Sequence, residues 1–165
     1  MLLTSGAIVR AGRDNRRQEM KAQRSATYQR VWFITGSSAG LGRALSETVL
    51  GRGERAVVTA RTPERVRDLI ERYPAQALVL ELDVTRADQV RSAVREAIER
   101  FGRIDVLVSL DGHSEQLAQE VAPLAIKMIA IDPGNSNGYL LDHSRTLADE
   151  IITAVDAENV NASNP

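Results

Sequence analysis

The amino-acid sequence predicts an α/β fold, a doubly wound parallel sheet of about five strands. Two observations carry this prediction. Five short apolar runs rich in β-branched residues alternate with segments whose apolar residues recur at helical spacing. The runs are almost continuously apolar, as expected of parallel strands buried on both faces. They span residues 31–34, 56–60, 77–82, 104–108 and 126–131.

The first run leads into a glycine-rich turn, Thr35-Gly36-Ser37-Ser38-Ala39-Gly40-Leu41-Gly42, and then into an amphipathic helix. Free backbone N–H groups and the helix dipole favour an anion at such a helix start. Glycines tolerate unusual dihedral angles and have no Cβ to hold a ligand away. We interpret the turn as a phosphate cradle. The alternative is an ordinary glycine-bearing connection between a strand and a helix.

The other helices follow from their boundary residues. Residues 51–53, Gly-Arg-Gly, end the first helix, and Thr62 with Pro63 is typical of a capped start for the second. Thr85 opens a sequence resembling a capping box, and Gly102 ends that third helix. A short helix over residues 114–121 and a last helix over residues 144–155 complete the prediction.

Composition excludes several classes of protein. The 165 residues are 43% hydrophobic and 26% charged with a net charge of −1, so no overall charge favours nucleic acid or an anionic membrane. No cysteine and only two histidines, His113 and His143, argue against a metal site. No apolar run approaches the ~20 residues of a membrane span. We therefore expect no nucleic-acid, membrane or metal partner, and a cytoplasmic location.

The chain divides into three parts. Residues 1–30 carry seven basic side chains and no sustained apolar period, which predicts a disordered basic extension. A targeting peptide, or a start assigned upstream of a natural Met20, are the alternatives. Residues 31–157 form a single predicted domain, and residues 158–165 a frayed tail.

Ligands of parallel sheets bind where the strands end, near the point at which strand order reverses. The second strand ends at Arg61, where an NAD site usually has a carboxylate and where an arginine accommodates the 2′-phosphate of NADP. Arg61 therefore favours NADP over NAD, unless it is a solvated surface cation. Asp83, after the third strand, accepts a hydrogen bond either from an adenine amino group or from the following helix start.

These motifs together resemble those of the short-chain dehydrogenases/reductases. The turn matches their TGxxxGxG signature, and residues 60–61 and 82–85 resemble the strand ends of NADP-preferring members. Residues 101–108 resemble the run into their fourth strand, residues 114–124 the late part of their catalytic helix, and residues 126–134 their sixth strand. The resemblance covers residues 31–134 with one break.

The resemblance implies a Rossmann-like fold, an oxidoreductase ancestry and an NADP cofactor, with NAD less favoured. Asp83 and Val84 would contact the adenine, and Arg61 the 2′-phosphate. The residues that would hold the pyrophosphate and ribose are Gly36, Ser38, Gly40, Leu41 and Gly42.

The break falls on the catalytic part of the family. Where members have Asn-Asn-Ala-Gly, this chain has Ser109-Leu110-Asp111-Gly112 and runs directly into the late catalytic helix. The family's fifth strand, catalytic serine and YxxxK motif are missing. The residues four places after the three tyrosines are Trp32, Ala77 and His143, so no YxxxK occurs in the sequence. Because that lysine lowers the pKa of the tyrosine, we expect no catalytic residues and no hydride transfer to a carbonyl by this chain alone.

The missing segment also bears on the sheet and on assembly. Residues 126–131 are expected to pair directly with the fourth strand, giving the order 3-2-1-4-5. Because most of the family's dimer surface would be absent, we expect a monomer or an association unlike that of the family. A non-catalytic nucleotide-sensing or protein-interaction module, and a gene fragment without selected function, are the alternative hypotheses.

Overall fold

The computed structural model describes residues 29–110, 115–131 and 143–162, with side chains up to residue 158. Its helices lie on both faces of one five-stranded parallel sheet. The strands are β1 (Val31–Ile34), β2 (Arg55–Ala60), β3 (Ala77–Glu81), β4 (Val106–Ser109) and β5 (Lys127–Ala130). The helices are α1 (Gly40–Gly51), α2 (Arg67–Arg72), α3 (Ala87–Phe101), α4 (Glu115–Val121) and α5 (Ser144–Ala162). Residues 1–28 of the predicted basic extension lie outside the described residues, and the domain limits stay a prediction.

The predicted strand order, 3-2-1-4-5, is confirmed. β1 lies at the centre, with Ile34 opposite both Val58 of β2 and Val108 of β4. β5 pairs with β4 along its whole length, and Ser109 lies opposite Ala130. The connection between these two strands contains α4 and is long enough for a parallel crossover. β5 therefore occupies the place next to β4, as the sequence predicts.

Both faces of the sheet are buried, which explains the continuous apolar runs. Trp32 and Ile34 of β1 pack in a core with α1, α2 and α5, whereas Val31 and Phe33 pack in a second core with α3 and α4. All four side chains are fully buried. Successive residues of a strand point to opposite faces, so a strand between two helical layers has no polar side.

Neither predicted helix cap forms a side-chain capping hydrogen bond, although Thr62 and Pro63 occupy the predicted N-cap and first positions. Thr62 precedes a 3₁₀ segment, Pro63–Val66, and its side chain makes no capping hydrogen bond. Arg86, not Thr85, is the residue before α3, and it also makes no side-chain cap. The Thr85 hydroxyl instead donates to Asp83 at 2.6 Å. Short polar side chains bond to whichever neighbouring group is nearest, and at Thr85 that group is the carboxylate two residues earlier.

The last helix is longer than predicted. It continues to Ala162, beyond the expected end at residue 155. Val155 is its last core residue, but Asp156 then accepts hydrogen bonds from Arg30 at 2.5 Å and from Arg52 at 3.0 Å. These ion pairs hold the helix against the rest of the domain after its apolar stripe ends. Within the described ranges, no helix is long and apolar enough to cross a bilayer.

Candidate functional site

The glycine turn lies between β1 and α1, at the carboxyl edge of the sheet. Gly36 and Gly40 have φ angles of 62° and 56°, in the left-handed region that suits glycine. The residue before α1 is Ala39, whose side chain has no oxygen to cap the N–H groups of the first turn. The turn therefore presents uncapped donors at the positive end of a helix dipole, as an anion requires.

Gly42 brings the helix close to the turn. A Cβ at this position would lie 2.2 Å from the carbonyl oxygen of Gly36 and 3.0 Å from Cδ1 of Leu110. Gly42 is buried, so its role is close packing of α1 on the turn. The side chain of Leu41 is also buried, in the core with α5. Any contact of Leu41 with a ligand is therefore limited to its backbone.

Buried hydroxyl groups hold the turn from below. The Ser37 hydroxyl donates to the Ile34 carbonyl at 3.1 Å, and the Thr59 hydroxyl donates to the same oxygen at 3.0 Å. The Ser46 hydroxyl donates to the Gly42 carbonyl at 2.8 Å. These side chains are at most 1% exposed. They fix the backbone that would meet a ligand. Thr59 and Ser46 interrupt an apolar strand and an apolar helix stripe, and Ser37 lies within the turn, but nothing in the sequence distinguishes their hydroxyls as its support.

Thr35 joins the ends of β1 and β4. Its N–H donates to the Val108 carbonyl at 3.0 Å, and its hydroxyl accepts from the Leu110 N–H at 2.9 Å. Ser109, between these two residues, has a buried hydroxyl that makes no hydrogen bond within the described part of the chain. The family sequence that this segment resembles has asparagine here, so the polar position is retained but not its amide.

The second strand end presents a free cation. Arg61 directly follows β2, is exposed, and makes no hydrogen bond or ion pair with any residue in the described ranges. Its positive charge contributes to lowering the pKa of Asp83. Arg43 on α1, by contrast, bonds to both Glu47 and Asp68. Arg61 is thus available for an anionic group.

Asp83 and Val84 follow β3. One oxygen of Asp83 accepts from the N–H of Thr85 at 3.0 Å and from its hydroxyl. These bonds are the main cause of the lowered pKa of Asp83, with the charges of Arg61 and Arg86 adding to it. The carboxylate is therefore ionised near neutral pH and its second oxygen is available. Val84 is 6% exposed with its side chain in the core, which leaves its backbone for contact with a base.

The predicted residues share one edge of the sheet because they follow the ends of neighbouring parallel strands. Tyr73, the one tyrosine in the described ranges, precedes β3 and therefore lies at the opposite edge of the sheet. Tyr28 and Tyr139 lie outside the described residues. Among the residues that the structure describes, no cluster of three or more His, Asp or Glu side chains suits a metal ion.

A parallel sheet of this order, with a glycine turn at its central strand and an arginine at the next strand end, is a Rossmann-type fold. A family model described as short chain dehydrogenase matches residues 30–115, just over half of the chain. The chain belongs to the short-chain dehydrogenase family. Proteins of this family use nicotinamide dinucleotide cofactors.

Individual relatives agree with this assignment. Oxidoreductase BOA17 of Botryotinia fuckeliana is 41% identical over 92 residues, which cover 55% of this chain and 34% of that protein. Uncharacterized oxidoreductase C922.06 of Schizosaccharomyces pombe is 35% identical over 120 residues, which cover 69% of this chain and 44% of that protein. A solved short-chain dehydrogenase from Streptomyces avermitilis superposes with a TM-score of 0.61 at 22% identity, covering 82% of this chain and 61% of that one. The chain thus spans less than half the length of either curated relative.

Proposed function

We propose that this chain binds NADP(H) through the adenosine and diphosphate part of the cofactor and does not by itself transfer hydride to a carbonyl. The single observation that carries the proposal is the arrangement at the carboxyl edge of the sheet. The uncapped turn at Gly36 to Gly42 supplies donors for the diphosphate, and Arg61, exposed and without an ion-pair partner among the described residues, supplies a cation at the adjacent strand end. Ser38, half-buried within the turn, would contact the ribose side of the diphosphate.

Arg61 supports NADP as the preferred form. A guanidinium donates two hydrogen bonds to a charged phosphate, whereas a ribose 2′-hydroxyl offers it only one neutral oxygen acceptor. No carboxylate stands at the end of β2 to bind the two ribose hydroxyls of NAD, and the next acidic residue is Glu64 in the 3₁₀ segment. Asp83 and the backbone of Val84 would complete the adenine side.

The sequence supports the proposed lack of hydride transfer. The family's acid–base pair is a tyrosine with a lysine four residues later, and this sequence contains no such pair. Its two lysines are Lys21 and Lys127, and the latter forms an ion pair with Glu158 on α5. A bound nicotinamide would therefore lack a positioned proton donor for a carbonyl substrate.

The experiment titrates the chain with NADPH and with NADH in parallel and measures its thermal unfolding at each nucleotide concentration. Ligand at 100 times its Kd should stabilise the fold by about 2.7 kcal/mol, and NADPH should do so at a lower concentration than NADH. Arg61→Gln should weaken NADPH binding by about tenfold or more, the loss expected for a charge-assisted phosphate contact, and leave NADH unchanged. Arg67→Gln, an exposed arginine at the start of α2, is the matched control.

Three outcomes would contradict the proposal. Equal loss of NADPH affinity in Arg61→Gln and Arg67→Gln would remove the role of Arg61. NADPH oxidation with a panel of aldehydes and ketones would contradict the lack of turnover. Binding of neither nucleotide would favour the alternatives, a protein-interaction module or a fragment.

A further inference from the structure

A cavity of about 420 Å³ lies between the N-terminal halves of α1 and α5. Its walls are Gly40, Arg43, Ala44 and Glu47 on α1, with residues 144–146 on α5. Gly40 belongs both to this cavity and to the glycine turn, so the cavity is continuous with the predicted diphosphate site. α5 is the last helix, and nothing in the sequence indicates that it contributes to ligand binding.

The charged side chains around this cavity do not balance. Glu47 lies 2.8 Å from Arg43, 3.5 Å from Arg72 and 3.8 Å from Arg145. Arg43 and Arg72 also pair with Asp68. Of the side chains that line the cavity, Arg43 and Arg145 are cationic and Glu47 is anionic, so the described lining carries an excess of positive charge that would attract an anion.

Arg145 is the arginine that can turn to a ligand. Arg43 is held by two carboxylates, and its pKa is raised, chiefly by its hydrogen bonds to Asp68. Arg145, by contrast, is 85% exposed at its side chain, and its ion pair with Glu47 is long, at 3.8 Å. Moving Arg145 onto a phosphate would break no short hydrogen bond to Glu47. Glu47 would still keep Arg43 as its partner.

We propose that Arg145 is a phosphate-binding residue of this chain, which reaches from α5 across the cavity to the dinucleotide's diphosphate. The inference rests on the proposed function and adds a second cationic contact, separate in the sequence from the glycine turn by more than a hundred residues. The two arginines then bind different groups: Arg61 binds the 2′-phosphate that distinguishes NADPH, and Arg145 binds the diphosphate that both nucleotides share. A planar guanidinium is suited to bidentate contact with phosphate oxygens.

The test compares the unmodified full chain and two variants of it for binding of NADPH and NADH. Arg145→Gln should raise the Kd of both nucleotides by a similar factor of about ten, as for loss of a charge-assisted hydrogen bond. It should also reduce the salt dependence of binding, because one phosphate contact fewer is screened. Arg95→Gln is the control, since Arg95 is an exposed arginine on α3 with an equally long ion pair to Glu99.

Two results would overturn the inference. One is unchanged affinity of Arg145→Gln for both nucleotides; the other is a loss confined to NADPH, which would place Arg145 at the 2′-phosphate. Calorimetry with inorganic pyrophosphate separates this inference from the proposed function. Arg145-dependent pyrophosphate binding without nucleotide binding would support the anion site and refute the cofactor proposal. Absence of pyrophosphate and nucleotide binding would refute both.

Discussion

Replacing Gly42 with alanine tests whether close packing of α1 on the glycine turn is essential. The new Cβ would lie 2.2 Å from the carbonyl oxygen and 2.8 Å from the carbonyl carbon of Gly36. Because both are backbone atoms, the turn itself must move. Overpacking of this kind costs about 1–3 kcal/mol, which the better helix propensity of alanine offsets by at most about 1 kcal/mol. We expect the free energy of unfolding to fall by about 1–2 kcal/mol, and NADPH binding to weaken because the phosphate donors are displaced.

Urea denaturation measures the change. Trp32 is the single tryptophan and is fully buried, so its fluorescence reports unfolding of the core. Gly51→Ala is a matched control at the other end of the same helix, where the nearest neighbour of a new Cβ is the Tyr73 hydroxyl at 3.8 Å. That variant should gain about 0.5–1 kcal/mol. Equal stability of the two variants, with unchanged NADPH affinity in Gly42→Ala, would refute the packing argument.

Three further predictions concern stability. Glu54→Gln should cost about 2 kcal/mol in urea denaturation, because Glu54 accepts hydrogen bonds from part-buried Arg30 at 2.6 Å and from the Trp32 indole; Glu99→Gln, at an exposed site, should not change stability. Hydrogen bonds from Arg43 lower the pKa of Asp68 to about 2, so this ion pair stabilises the fold fully above the ordinary pKa of 3.8 and less as the pH falls toward 2. Asp68→Asn should remove this pH-dependent part of the stability, which is below about 1 kcal/mol because the carboxylate is nearly half exposed. Parallel curves of stability against pH for the variant and the unmodified chain would contradict this. Ser109→Ala should retain or raise the free energy of unfolding by up to about 1 kcal/mol, since its buried hydroxyl has no partner in the described ranges. Ser37→Ala should lose about 1 kcal/mol with its 3.1 Å hydrogen bond to Ile34, and equal losses would show that the Ser109 hydroxyl is bonded.

The strands and the glycine turn could be predicted because their signals are local. A strand buried on both faces must be apolar throughout, as in β1, and Gly36 to Gly42 stand next to it in sequence. Predicting the strand order required one further inference: because the family's fifth strand has no counterpart in the sequence, β5 was expected to pair with β4. This pairing is observed. Helix caps were less predictable, since the Thr85 hydroxyl had several acceptors within reach and sequence does not say which it takes.

Contacts between residues far apart in the chain could not be predicted from the sequence. Arg30 bonds to Asp156, 126 residues away, and nothing in either segment indicates the other. The same holds for Glu47 and Arg145, which meet only because α5 packs on α1. The end of α5 was underestimated for this reason: an amphipathic stripe marks where a helix is buried, whereas ion pairs with the rest of the domain extend it further. The buried hydroxyls beneath the turn were missed because a single serine in an apolar stripe has no distinctive spacing.

The glycine turn depends mainly on residues close to it in sequence. Within the described ranges, its hydrogen bonds join Ile34, Ser37, Ser46 and Thr59, all in one β-α-β unit, while Val108 and Leu110 contribute from the end of β4. The family's acid–base residues, by contrast, belong to elements that come after the fourth strand. Within the described ranges the packing beneath the turn therefore does not depend on such later elements, and β5 pairs directly with β4. This division is the physical reason to expect nucleotide binding and hydride transfer to be separable in this chain.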